Sequence, residues 1–170
     1  TVHLTCHQRG HPVWRDAIAG FVPGGNLPDG MIVTGAANGV MTLASCLQSG
    51  LNAGQQAARD LGFKPAVIKP PRAADESFAI QPFWHVKGSD KKAFVDFQND
   101  VGIKDIKQSH REGFRSVEHL KRYTTLGMAT DQGKIANIPG LAILADISGK
   151  TIAETGTTIF RPPYTPVPIA

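Results

Sequence analysis

The sequence predicts an α/β unit followed by a small α-helical domain, and three features carry that expectation. A strand-like Met31-Ile32-Val33 runs into the small-residue turn Gly35-Ala36-Ala37-Asn38-Gly39, after which apolar residues recur at helical spacing. Pro65, Pro70 and Pro71 then interrupt all regular structure. Beyond them come three further segments of helical pattern, each with a glycine stop.

Taken in order, Thr1-Val2-His3-Leu4 has neither a basic n-region nor an apolar h-region, and is expected to be the tail of a strand already under way. Val13-Trp14-Arg15 and Ile18 to Val22 are short strands, followed by the turn Pro23-Gly24-Gly25-Asn26. From Asn38 the pattern becomes helical, with Val40, Leu43, Ala44, Leu47, Leu51, Ala58 and Leu61 on one face. Gly50 and Gly54 weaken that helix and Gly62 stops it. Cys46 within it is expected to be a small buried hydrophobe. Residues 63 to 75 form an extended connector, and Phe78 to Val86 and Ala93 to Phe97 are short strands or packed arms.

A helix is predicted from Ile103 to Glu112, closed at Gly113, and a second from Val117 to Thr125, capped by Ser116 and ended by Gly127. Ile103, Ile106, Val117, Leu120 and Tyr123 should face inward. Asn137 and Pro139 open a third helix, which runs to about Ser148 and is closed by Gly149. Thr151-Ile152-Ala153-Glu154 is a capping box. Arg161 to Pro168 is a polyproline-like extended tail. The resulting division is 1–64, 65–92 as a Pro-rich linker and arm, 93–149 as the helical domain, and 150–170 as an extended linker.

Composition narrows the function classes. In 170 residues, 41% hydrophobic and 19% charged, no apolar run approaches the length of a membrane span, so no membrane partner is expected. The net charge of +4, from 18 Lys and Arg against 14 Asp and Glu, is spread along the chain, which argues against a nucleic-acid partner. Cys6 and Cys46 do not make a disulfide framework, which fits a cytoplasmic setting.

The turn Gly35 to Gly39 is the strongest chemical signal. Small residues let a ligand approach the backbone, and a following helix start offers N–H donors and a positive dipole end to a phosphate or carbonyl oxygen. A tight strand-to-helix turn without any ligand is the alternative, since no Gly-x-Gly-x-x-Gly fingerprint is present. His3, Cys6, His7 and His11 match no zinc spacing and are expected as exposed or loop-packing side chains on a surface strand and turn. Gly127 to Lys134 has five residues between its glycines and Ile135 where Ser or Thr should bind magnesium, so it is not a phosphate loop. Lys121 and Arg122, with Arg111 and Arg115, give a helix-turn-helix lookalike. A solvated or subunit-contacting face is the simpler reading, since no base-reading pattern accompanies it. No nucleophile–base pair or acid–base dyad is evident, so no catalytic residue is assigned.

The spacing around the turn resembles the last strand and helix of two-dinucleotide-domain flavoproteins such as thioredoxin reductase. Gly35 matches the glycine of their Gly-Asp pair, and Gly50-Leu51-Asn52-Ala53-Gly54-Gln55-Gln56-Ala57-Ala58 their late small-residue stretch. Ala36 stands where the ribityl-binding Asp should be, which makes NAD the better-fitting dinucleotide than FAD. A more extensive resemblance runs through Val95-Asp96-Phe97-Gln98-Asn99-Asp100-Val101, Arg111 to His119, and Lys121 to Lys134, and continues in Phe160 to Val167. These segments resemble the alpha subunits of heterotetrameric sarcosine oxidases.

That resemblance implies an internal segment of a larger subunit: the C-terminal part of an NAD-binding domain, a helical domain, and a linker toward a folate-binding domain. It implies NAD in this subunit, held by Gly35, Ala36, Ala37, Asn38 and Gly39. It further implies FAD and FMN mainly through the partner subunit, tetrahydrofolate in a C-terminal domain, and beta, gamma and delta partners. Together these would oxidatively demethylate sarcosine to glycine, and the segment by itself would be inactive. In related amine-oxidase subunits the helical block resembles an iron–sulfur domain. Here the four cysteine places hold Asp96, Gln98, Asp131 and Ala136, so no cluster is expected. Asp96 and Asp131 could instead meet as a carboxylate pair for a hard cation. The rival readings are a purely structural, subunit-contacting segment and a nucleic-acid-binding helix-turn-helix module.

Overall fold

A computed structural model describes residues 2–25, 27–74, 76–89, 91–159 and 168–169. The chain divides into two compact units, Thr1–Gln81 and Pro82–Ala170.

The first unit opens with a 3-10 helix, His3–Cys6, where a strand tail is expected. The physical reason is local: the Thr5 backbone N–H and its hydroxyl both donate to the Val2 carbonyl, at 3.0 and 2.5 Å. Strands β1 (Val13–Arg15) and β2 (Gly20–Val22) form an antiparallel hairpin in which Trp14 faces Phe21. Their rings meet edge to face at 5.1 Å. The second strand starts at Gly20 rather than Ile18 because Asp16–Ile18 is spent on a 3-10 turn that ends in left-handed Ala19 (φ 44). Met31 to Val33 is not a strand, and no described strand pairs with it. The described residues form two two-stranded antiparallel sheets, so the first unit holds a hairpin and a helix but not the strand-to-helix pair that carries the α/β expectation.

Helix α1 spans Leu43–Asp60 and is continuous through Gly50 and Gly54. It begins later than Asn38 because the preceding residues close on themselves. Gly35–Asn38 is a 3-10 turn, with Gly39 N–H donating to Ala36 O (3.0 Å) and Val40 N–H to Gly35 O (3.1 Å). Left-handed Gly62 (φ 82) ends the helix, and Phe63 N–H reaches back to Ala58 O at 2.9 Å. The expected apolar face is only partly covered. Ala44, Leu47, Leu51 and Ala58 are half-buried, whereas Leu43 and Leu61 are exposed. Residues 63 to 92 contain no strand among the described positions, so Phe78 to Val86 is an arm.

In the second unit, β3 (Phe94–Asp96) pairs antiparallel with β4 (Val101–Gly102). Strand β4 runs straight into α2 (Ile103–Arg111), whose first turn is fixed by Gly102 N–H donating to the Asp105 carboxylate at 2.7 Å. Helix α3 (Val117–Thr124) is capped as expected, Ser116 Oγ accepting from His119 N–H at 3.2 Å. Helix α4 (Asn137–Ser148) ends at left-handed Gly149, and α5 (Ile152–Thr155) carries the Thr151–Glu154 capping box. Gly140 to Ala145 of α4 are all buried, which makes this apolar helix the centre of the unit. Its Ile143 and Leu144 join Ile106, Leu120 and Leu126 in one core cluster, with Ile103 and Val117 partly buried against it.

Tyr123 departs from the expected inward set. It is 41% exposed, lies against Phe114 at 4.7 Å between ring centroids, and hydrogen-bonds Glu112. It sits at the edge of the helix face set by Val117 and Leu120, where its hydroxyl finds a polar partner. That bond, with a second from Gln108, holds the Glu112 carboxyl below its usual range and pushes the Tyr123 hydroxyl up. The proposed polyproline-like stretch, Arg161 to Pro168, falls almost entirely outside the described residues. Among the described residues no helix is long and apolar enough to cross a membrane.

Candidate dinucleotide-binding turn

The turn Gly35–Asn38 is seated on the β1–β2 hairpin and clamped to α1. Arg15 Nη1 donates to Asn38 O at 3.4 Å, which ties β1 to the end of the turn. A Cβ at Gly39 (φ 79) would lie 3.0 Å from Val22 Cγ1 and 3.1 Å from Arg15 Nη1. Gly39 is therefore required by the chain's own packing as well as by its left-handed backbone. Before the turn, the Thr34 and Ser49 hydroxyls hydrogen-bond each other. After it, the Cys46 thiol donates to Val40 O at 3.0 Å. Cys46 is thus half-buried and engaged with the backbone, not the inert core residue expected from its helical position.

Within this frame the five predicted residues come together as one exposed-to-half-buried loop. Gly35 has φ 63 and nothing closer than Cys46 Sγ, at 3.9 Å, to a Cβ built on it. Ala36 is exposed; Ala37, Asn38 and Gly39 are half-buried. The leading N–H groups of a 3-10 turn have no partner inside it. Helix α1 adds a second set, because Thr42 makes no side-chain cap and the N–H groups of Leu43 to Ser45 precede the first i−4 bond, Cys46 N–H to Thr42 O. This donor set begins four residues later than a helix starting after Asn38 would place it. The turn is neutral, small and donor-rich, a chemistry that fits an anionic group such as a pyrophosphate.

The other predicted positions have different fates. His3 is buried at the start of the 3-10 helix, whereas His7 and His11 are exposed. Burial pushes the Cys6 thiol up, away from the thiolate a metal would need. Among the described residues no group of three or more His, Cys, Asp or Glu side chains is placed to share a metal ion. Arg122 pairs with Glu118 at 2.7 Å and Arg111 donates to Gln108 at 2.7 Å, so two of the four basic residues considered for a nucleic-acid face have partners on their own helices.

Asp96, Gln98, Asp131 and Ala136 lie on segments that do converge, in an arrangement the sequence did not reveal. Asp96 is 1% exposed. Its Oδ1 accepts N–H bonds from Gln98 (2.9 Å) and Asn99 (3.1 Å), and its Oδ2 accepts from Gly127 (2.7 Å). Thr130 donates to Gln98 Oε1 at 2.8 Å, and Asn99 Nδ2 donates to Thr125 O at 2.9 Å. Asp131 accepts from Gly133 N–H at 3.2 Å, and Ala136 joins the core. Both oxygens of Asp96 are committed to backbone donors, which leaves it holding the turn after α3 to the turn after β3. The only hint in the sequence is a short polar residue directly before a tight turn.

Residues 90–170 match the model of the sarcosine oxidase A3 domain. The sarcosine oxidase subunit alpha of Rhizobium meliloti (strain 1021) is 44% identical over 98% of this chain, and that of Corynebacterium sp. (strain P-1) 35% identical over 99%. The chain spans 17% and 18% of their lengths, less than a fifth of each. An L-proline dehydrogenase from P. horikoshii has a similar fold, with a TM-score of 0.68 over 94% of this chain and 34% of that one, at 22% identity.

Proposed function

This chain belongs to the sarcosine oxidase alpha-subunit family, and from that premise we propose that it is the NAD-holding and assembly segment of a sarcosine-oxidising complex. The family is one of oxidoreductases by name, and its designation as a subunit implies a multi-subunit enzyme. In this reading beta, gamma and delta subunits complete the complex, FAD and FMN sit mainly on the partner side, and the one-carbon unit passes to tetrahydrofolate in another domain. Sarcosine is demethylated to glycine elsewhere in that assembly. The residues of this chain bind and orient; they do not perform the bond-breaking step.

The observation that carries the reading is the turn Gly35–Asn38, small, neutral and rigidly clamped, with exposed Ala36 in place of an acidic side chain. Its backbone donors, with those at the start of α1, would receive the anionic part of the dinucleotide. Gly35 and Ala36 keep the approach open, and Arg15, through Asn38 O, fixes the angle of the turn. NAD, when bound, supplies hydride chemistry; this chain supplies its seat.

The helical unit is, in the same proposal, an iron–sulfur-type scaffold without its cluster, in which the hydrogen bonds around Asp96 and Gln98 take over the joining role. Purified protein is expected to contain neither iron nor zinc in stoichiometric amount. Elemental analysis checks this, and one metal per chain lost on substitution of Asp96 or Asp131 would refute it. The function itself is tested by isolating the intact subunit with its partners and measuring sarcosine-dependent oxygen uptake together with NAD released on denaturation. Both are expected. Uptake without any bound NAD would favour the purely structural reading, and no uptake with sarcosine would refute the substrate.

A further inference from the structure

The second unit carries an open groove of about 840 Å³ that plays no part in the turn described above. Residues 83–89 and 91–93 of the arm form one wall and the start of α2 the other, while Ile143 and Ile147 of α4 line it with Trp84. On the arm, Lys87 donates to the Asp146 carboxylate of α4 at 2.7 Å and holds that carboxyl below its usual range. Around the rim stand Lys91, Lys92, Lys104 and Lys107, all exposed and none in an ion pair among the described residues. Lys92 lies over the Phe94 ring at 4.4 Å from its centroid. The two described acidic residues at the groove are occupied: Asp146 by Lys87, and Asp105 by Gly102 N–H at 2.7 Å. Asp90 lies outside the described residues.

We infer that this groove docks an extended acidic peptide segment of another subunit, one in which Asp or Glu alternates with apolar side chains. The inference rests on the assembly role proposed above and locates one of its contacts. Charge sets the partner's sign, since four lysines without acidic partners surround an apolar floor. The wall itself argues for a polypeptide rather than a small anion. Phe83 and Val86 are 78% and 62% exposed beside the lysines, and a free phosphate or nucleotide would leave that apolar surface wet. The cations are flexible lysines, suited to a string of carboxylates, and no Arg fork lines the groove.

The test uses the full-length alpha subunit with its co-expressed partners. Lys104→Glu/Lys107→Glu reverses two rim charges, and because a Glu at 104 lies in the first turn of α2 it favours that helix instead of melting it. A second variant, Phe83→Ala/Val86→Ser, removes exposed apolar surface without touching the core. Dissociation of the complex is followed by light scattering at low and high salt, with inorganic pyrophosphate and ADP titrated as small-anion probes. The charge variant should weaken assembly about thirtyfold at low salt and flatten its salt dependence, and the apolar variant about tenfold at either salt. Assembly unchanged in both variants, with wild-type complex intact, overturns the groove alone. So does loss of ADP or pyrophosphate binding with assembly unaffected. If the wild-type subunit forms no complex at all, the assembly role and this inference fall together.

Discussion

Asp96→Ala is expected to cost the helical unit about 3–4 kcal/mol, a large share of the stability of a unit this size. The carboxylate is buried, and its removal leaves the N–H groups of Gln98, Asn99 and Gly127 without acceptors while opening a void beneath them. The Gln98–Thr130 and Asn99–Thr125 bonds would remain between two turns far apart in sequence. Asp96→Asn separates geometry from volume. Its oxygen can keep the Gln98 and Asn99 bonds, but its amide faces the Gly127 donor, so the expected loss is about half as large. Denaturant unfolding of the intact subunit, read from the helical signal of this unit, measures both. Equal stability of all three proteins would show that the turns hold without the carboxylate.

Ala36→Asp is expected to weaken NAD binding about a hundredfold, or about 3 kcal/mol. Ala36 is exposed on a turn whose donors are proposed to meet the anionic part of the dinucleotide, so the added charge would lie beside a phosphate or ribose. No packing is disturbed, and unfolding stability should not change. That separation matters, because Gly35→Val is a poorer probe than it looks from sequence. Gly35 has φ 63, so a β-branched side chain there strains the backbone whether or not a ligand binds. Calorimetric titration of NAD into full-length wild type, Ala36→Asp and the neutral Ala36→Ser decides between charge and bulk. Serine should bind nearly as wild type. If aspartate does so too, the turn is structural and the dinucleotide lies elsewhere.

Local signals in the sequence predicted the helical unit well. Ser116, Thr151 with Glu154, and Gly149 each act through a bond to a backbone group within a few residues, so spacing alone reveals them. The strands β1 and β2 were likewise legible as short apolar runs, but their pairing through the turn at Asp16–Ile18 was not. What failed depended on distance or on partners. Met31 to Val33 has the composition of a strand, but a strand exists only where a ladder forms, and none of the described strands pairs with it. The late start of α1 follows from the Gly35–Asn38 turn closing first, and Cys46 was misread because its Val40 partner lies in an irregular stretch. Asp96 joins residues 31 positions apart, a distance at which no periodicity speaks. The five residues of the candidate turn were legible as a group. Their support from Arg15, Thr34 and Ser49 was not.

The most direct test of the proposed role is an experimental structure of the intact alpha subunit in its complex, solved with NAD. The account predicts the dinucleotide pyrophosphate within hydrogen-bonding distance of backbone N–H groups in Gly35 to Gly39 or at the start of α1, with Ala36 beside it and no carboxylate nearby. FAD at this turn, or NAD bound with the turn facing solvent, would contradict it.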